Sequence, residues 1–184
     1  MKAKKEYIVL ALIIAALAAY LALHETGRVN YDLPELKKYP DTEITRIQID
    51  QPDGVVILEK NKDQWYLAGK DQRADKNKVR PMIETIGNLE LTAVVSEGGN
   101  YQNYSLGKQR RIHVSAWAGE KQIRAFNVGK TAPSYKHTFV KLPDDPRVYH
   151  ASGSFRKHFA VSKDELRPKK KEKSGQSKPG SKKR

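Results

Sequence analysis

Five histidines, His24, His113, His137, His150 and His158, are the side chains best suited to proton transfer or metal ligation. Their spacing matches no zinc pattern, because the compact His or Cys pairing that lets neighbouring ligands share one ion is missing. There is no cysteine, which excludes disulfides, thiolate metal sites and a Cys nucleophile. Only strand pairing could gather His113, His137 and His150, so solvent-facing or capping roles are expected, with no metal and no cofactor. Ser134, Tyr135 and His137 are close enough in sequence to suggest a hydrolase, yet no serine stands in a Gly-x-Ser-x-Gly elbow. Gly129-Lys130-Thr131 resembles the end of a phosphate-binding loop but lacks its upstream glycine, so a turn between strands is expected. Asp144 and Asp145 stand between Pro143 and Pro146 and read as a turn rather than a catalytic carboxylate pair. No enzymatic activity is expected. Trp65, Tyr66, Trp117, Tyr135 and Phe139 would suit a stacking platform for sugars or bases. On half-buried strands, however, such residues are ordinarily core or cross-strand partners.

Cations are the other candidate chemistry. The net charge of +14 is mostly at the ends: residues 167–184 carry +8 and residues 1–6 carry +2, leaving +4 for everything between. Lys169, Lys170, Lys171, Lys173, Lys182, Lys183 and Arg184 form a candidate site for anionic lipid head groups, acidic envelope polymers or an acidic partner. Attraction of this kind reaches about 1 kcal/mol per basic residue near an anionic surface and is screened by salt. The alternative is a solvated, solubilising tail. Residues 163–184 have almost no apolar side chain to bury and are expected to be disordered.

Residues 7–23, YIVLALIIAALAAYLAL, are uncharged and apolar on every side, after Lys2, Lys4 and Lys5. As a helix they reach roughly 26 Å, the lower limit for crossing a bilayer. The preceding lysines keep the N-terminus cytoplasmic, which puts the following chain outside. A cleaved signal peptide shares these features, but Ala16-Leu17-Ala18, the small-x-small candidate, lies inside the apolar run, so an uncleaved anchor is the reading adopted.

Between anchor and tail, residues 24–42 read as a linker and 43–162 as a folded domain. Strands are expected over 44–49 and 55–60 around the turn Gln51-Pro52-Asp53-Gly54, and a third over 64–67 after Asn61-Lys62-Asp63. Asp75 should cap a helix running to about Asn88, with Val79, Met82, Ile83 and Ile86 on its apolar stripe. Pro81 would lie inside that helix unless the helix starts near residue 78. Further strands are expected over 90–95, 112–117, 122–128, 136–142 and 147–150, with a loop over 96–104 and a short helix over 154–159. The fold class is α+β: antiparallel β-meanders with one main helix packed on the sheet, preceded by a single transmembrane helix.

Asp63-Gln64-Trp65-Tyr66-Leu67, Arg73-Ala74-Asp75, Tyr104-Ser105-Leu106, Val128-Gly129-Lys130, Thr138-Phe139-Val140-Lys141 and Arg147-Val148-Tyr149 together resemble a known family. It is the membrane-anchored bacterial domain of unknown function 4340, and the likeness extends over 43–159. That family usually has Gly in the middle of the tripeptide and Pro soon after; this chain has Ser105 and Gly107-Lys108. The resemblance implies a periplasmic α+β domain on one N-terminal span, in proteins that accompany ABC-type export systems of the gliding-motility kind. It implies no catalytic residue.

The expected protein is therefore a non-enzymatic, single-pass protein of the bacterial inner membrane. Its extracytoplasmic domain would serve as an interaction or accessory module for a transport or envelope complex. Expected partners are the bilayer through 7–23, a protein of that complex, and an anionic lipid or envelope polymer; nucleic acid lies on the wrong side of the membrane. The alternative is a polyanion- or membrane-surface-binding protein working mainly through its basic tail.

Overall fold

The period-two alternation of apolar residues is realised as nine strands in the computed structural model, which describes residues 3–23, 32–69 and 72–168. Contacts divide the chain into two units, Met1–Asp32 and Leu33–Arg184. The first holds helix α1 (Ala3–Leu23). Its described side chains, residues 5–20, are all exposed, including Tyr7, Ile8, Leu12, Leu17 and Tyr20. Among the described residues no helix is long and apolar enough to cross a membrane.

The second unit is an antiparallel sheet with helices, hence α+β. Its strands are β1 (Arg46–Gln51), β2 (Gly54–Asn61), β3 (Gln64–Leu67), β4 (Gln72–Arg73), β5 (Leu91–Ser96), β6 (Ile112–Ala118), β7 (Lys121–Thr131), β8 (His137–Lys141) and β9 (Val148–Ser152). They form one sheet in the order β4-β3-β2-β1-β6-β7-β8-β9-β5. The expected pair of meanders is thus a single sheet, joined where Ile47 and Ile49 of β1 lie opposite Ala116 and Val114 of β6. β4 was not anticipated; it adds an edge where the chain turns towards helix α2.

Helix α2 (Lys76–Gly87) starts at Asp75, whose carboxylate accepts from the Asn77 amide. Pro81 does lie inside it. Its missing N–H leaves the Asn77 carbonyl without the usual helical donor; one turn further on, Thr85 Oγ1 donates back to the Pro81 carbonyl at 2.7 Å. Val79, Met82, Ile83 and Ile86 are buried in one cluster with Ile47, Ile49, Leu58, Val114 and Phe126 of the sheet. Phe159 of helix α3 (Arg156–Phe159) closes that cluster, edge-on to Phe126 at 6.0 Å.

Three boundaries differ from expectation. Leu166, expected in the disordered tail, is fully buried in the main cluster, and its carbonyl accepts from the Asp75 amide at 2.7 Å. Residues 33–42, expected in the linker, are packed: Leu33 and Leu36 lie against the main cluster, and the Tyr39 amide donates to the Gly87 carbonyl at 3.1 Å. A Cβ on Gly87 would overlap the Tyr39 carbonyl, so only glycine admits this segment. Gly129-Lys130-Thr131 is not a turn but the end of β7, where the pairing with β8 slips between Val128 and Thr131. The turn falls later, over 132–136, with Tyr135 at φ 57°.

The second face of the sheet is covered over only part of its width. The stretch expected as a loop over 96–104 contains a 3-10 turn, Tyr101–Tyr104, at its end. With Leu106 it lies over Phe139 of β8 and Val148 of β9, forming a small second cluster. Tyr104 meets the Phe139 ring at 4.9 Å. Gly129 makes this approach possible, since a Cβ there would overlap the Tyr104 carbonyl.

Candidate functional site

Side chains directly opposite one another on paired strands share a face. Trp117 lies opposite Arg46, Arg46 opposite Glu59, Glu59 opposite Tyr66, and Tyr66 opposite Arg73. The result is a five-residue row across β6, β1, β2, β3 and β4, on the face away from α2. Ile47 and Leu58, their neighbours along the strands, are fully buried on the other side. Neither Tyr66 nor Trp117 belongs to a buried cluster. The Arg46 guanidinium sits 5.1 Å from the Trp117 ring centre and its Nε 3.9 Å from Glu59 Oε1. Both side chains are about half exposed, 42% and 54%; an ion pair so exposed contributes at most about 1 kcal/mol. Val55 and Ile57 continue the face along β2, exposed and half-buried respectively. A recess of about 620 Å³ opens beside it, between Glu59, Tyr66 and Gly69.

This arrangement divides the expected aromatic platform. Trp65 and Phe139 are buried in separate clusters, and Tyr135 projects from the 132–136 turn at 79% exposure. Only Tyr66 and Trp117 share an accessible face. Arg46 and Glu59 were not singled out from the sequence, and Arg73 only within the Arg73-Ala74-Asp75 likeness. Their signal was faint: alternation with Ile47, Ile49, Val56 and Leu58 gives a strand's outward positions, but not which strands are neighbours.

The histidines are partly brought together. His137 and His150 stack at 5.1 Å with rings 16° from parallel, and Phe139 lies 4.9 Å from His150. Burial, aided by the neighbouring His137, pushes the His150 imidazole below its ordinary value, and its Nε2 is buried without a partner. His113 is held apart on β6, hydrogen-bonded to Asn127 at 2.9 Å and Ser115 at 3.1 Å. His158 lies on α3, its pKa also lowered by burial. Among the described residues no three metal-ligating side chains converge.

Ser134 Oγ stands 3.4 Å from His137 Nδ1, both near the surface. No carboxylate among the described residues completes that pair. Asp145 instead accepts from the Arg147 backbone and guanidinium and from the Tyr149 hydroxyl. The Arg147 hydrogen bonds hold its carboxyl well below the usual range. Asp144 lies at the exposed turn and does not pair with it. Lys169, Lys170, Lys171, Lys173, Lys182, Lys183 and Arg184 all lie outside the described residues.

No curated protein and no solved structure matches the chain. A family model described as a domain of unknown function (DUF4340) matches residues 65–173. The match begins at Trp65 on β3, leaving the β1–β2 hairpin outside, and runs past α3 into the basic tail. It covers more than half of the 184 residues, so the chain belongs to the DUF4340 family.

Proposed function

We propose that this is a non-enzymatic, single-pass membrane protein whose α+β domain docks a protein partner in a transport or envelope complex. The docking surface is the bare part of the sheet's second face, and the observation that carries the reading is the row Trp117, Arg46, Glu59, Tyr66, Arg73. Aromatic and arginine side chains on an exposed face are the types that dominate binding energy at protein interfaces. Alternating charge along the row favours one register of a partner carrying the opposite order. Behind it, the sheet and α2 give a rigid backing.

Anchoring by residues 7–23 is supported by the exposure of apolar side chains on every side of α1. A helix apolar all round requires cover, and lipid supplies it without asking for backbone partners. Lys2, Lys4 and Lys5 favour a cytoplasmic N-terminus and a periplasmic domain at the bacterial inner membrane.

The test is co-purification of full-length protein from gently solubilised membranes, comparing wild type with Tyr66→Ala/Trp117→Ala. The expected result is a partner retained at high salt and after removal of residues 167–184, and lost by about thirtyfold or more in the double variant, as for two residues at an interface centre. Retention unchanged by the double variant overturns the docking surface. Retention that disappears with salt or with residues 167–184 supports the second reading instead, in which the tail holds a polyanion or an anionic surface.

A further inference from the structure

A second surface, on the folded domain and separate from both the bare row and the tail, has its own chemistry. Residues 107–111, Gly-Lys-Gln-Arg-Arg, form a tight turn in which the amides of Arg110 and Arg111 both donate to the Gly107 carbonyl at 3.0 Å. The turn is held from beneath. Arg156 donates to the Arg110 carbonyl at 2.6 Å and to the Val128 and Gly129 carbonyls at 2.9 Å each. Its guanidinium is therefore spent on backbone rather than on any carboxylate. Lys108 and Arg110 are exposed. Among the described residues Lys108, Arg110 and Arg111 form no salt bridge. Lys108 and Arg111 also line an open recess of about 300 Å³ with Asp50, Gln51, Pro52 and His113. Asp50 is the one carboxylate there, and it accepts from Gln48 at 2.9 Å.

Three unpaired cations on a braced backbone complement a surface of fixed negative charge. We propose that the turn over 107–111 is a cradle for the phosphate head groups of an anionic phospholipid bilayer. The inference rests on the membrane anchoring proposed above. Residues 24–32 are all that joins the α1 segment to Leu33; nine residues extend to about 32 Å at most. A bilayer holding residues 7–23 is thus covalently tethered to the domain, which no soluble polyanion is.

The experiment uses the full chain reconstituted in nanodiscs of phosphatidylcholine alone or mixed equally with phosphatidylglycerol, read by amide hydrogen exchange. Each basic residue near an anionic surface shifts its engagement about fivefold. Exchange over 107–111 should therefore slow several-fold with phosphatidylglycerol and return to the phosphatidylcholine value at high salt. The protection should survive deletion of 169–184 and vanish in K108E/R110E/R111E, with β6 and β7 amides exchanging as in wild type. Should the triple reversal unfold the domain, K108Q/R111Q should still lose most of the protection. Equal exchange in the two lipids, or protection that disappears with 169–184 alone, overturns the proposal. Flotation with neutral vesicles separates the two readings. A chain that does not float defeats the anchor and this inference with it. A chain that floats but shows no lipid-dependent exchange defeats only the cradle.

Discussion

Strands β7 to β9 and strands β1 to β3 present the same face of one sheet, and the two stretches are treated in opposite ways. Over β7 to β9 the face is sealed by Tyr101, Tyr104 and Leu106, which close over Phe139 and Val148. Over β1 to β3 the outward positions are Arg46, Glu59, Tyr66 and Ile57, and none belongs to a buried cluster. The difference lies chiefly in side chains and one glycine: both stretches belong to a single sheet, although the pairing slips beside Gly129 in the sealed half. Where the outward residues are Phe139 and Gly129, a loop can pack; where they are charged and aromatic in alternation, burial would strand ions. Sealing is thus a stability device on one side, and its absence on the other leaves side chains available to a partner.

The comparison is broken most severely by removing the centre of the sealed half. Phe139→Ala takes away a ring that is 6% exposed and in contact with both Tyr104 and His150. A loss of about 3 kcal/mol is expected from truncation plus the cavity left behind, measured as a fall in the urea midpoint without change in slope. Gly129→Ala attacks the same layer from beneath. Its methyl would meet a backbone carbonyl that cannot swing aside, and about 2 kcal/mol should be lost through overpacking. A fall of less than about 0.5 kcal/mol in either variant would mean that the cover over 101–106 is not sealed.

Acid should distinguish the halves through His150, which lies in the sealed one. Its folded pKa is lowered, first by burial and then by His137, so the unfolded chain binds a proton more readily. The resulting stability is fully present above the unfolded value of about 6.5 and is lost as pH falls through the folded one. His158, lowered by burial as well, adds in the same direction. Urea midpoints at neutral pH and near pH 5 should therefore differ in wild type and differ less in His150→Phe. An equal drop in both would place the pH response elsewhere.

Much of the unequal treatment could not be seen in the sequence. The turn at Pro52-Asp53-Gly54, the Asp75 cap and the Val79, Met82, Ile83, Ile86 stripe are local, set by turn chemistry and by a 3.6 period, and each is where it was expected. The β1–β6 pairing brings together residues about 70 positions apart; alternation says that a strand has two faces but not what lies beside it. For that reason the Trp117 to Arg73 row was invisible, although Trp117, Arg46, Glu59 and Tyr66 all stood on expected strands. Gly129 misled for a related reason. A glycine in a Gly-Lys-Thr triplet suggests a turn, whereas here it serves close approach within a strand. Residues 33–42 look like a linker because Pro34 and Pro40 stand among charges; their packing depends on Gly87, which cannot be connected to them by local rules.

Ser105 provides a finer probe of the cover. It takes φ 56°, the left-handed region, which costs an L-residue with a Cβ roughly 1 kcal/mol. A glycine at this position would avoid that cost. Ser105→Gly should therefore stabilise the domain by about 0.5 kcal/mol, the relieved strain outweighing the added freedom of the unfolded chain. A destabilisation would mean that the serine side chain supports the turn in a way its torsion angle does not reveal.

The smallest effect on stability is expected where the largest effect on binding is. Trp117 and Arg46 are held to one another by a single stacking contact at 5.1 Å on a half-exposed face. Such a contact supports a cross-strand pair by about 0.5–1 kcal/mol, so Trp117→Ala should leave the urea midpoint almost unmoved, unlike Phe139→Ala. Both are aromatic strand residues on the same face; only the cover differs. Retention of a membrane partner should show the reverse order, falling with Trp117→Ala and persisting in those Phe139→Ala molecules that remain folded. If instead Trp117→Ala destabilises as much as Phe139→Ala, the bare half is a core that some further segment covers, and the row across β6 to β4 is packing rather than a place to dock.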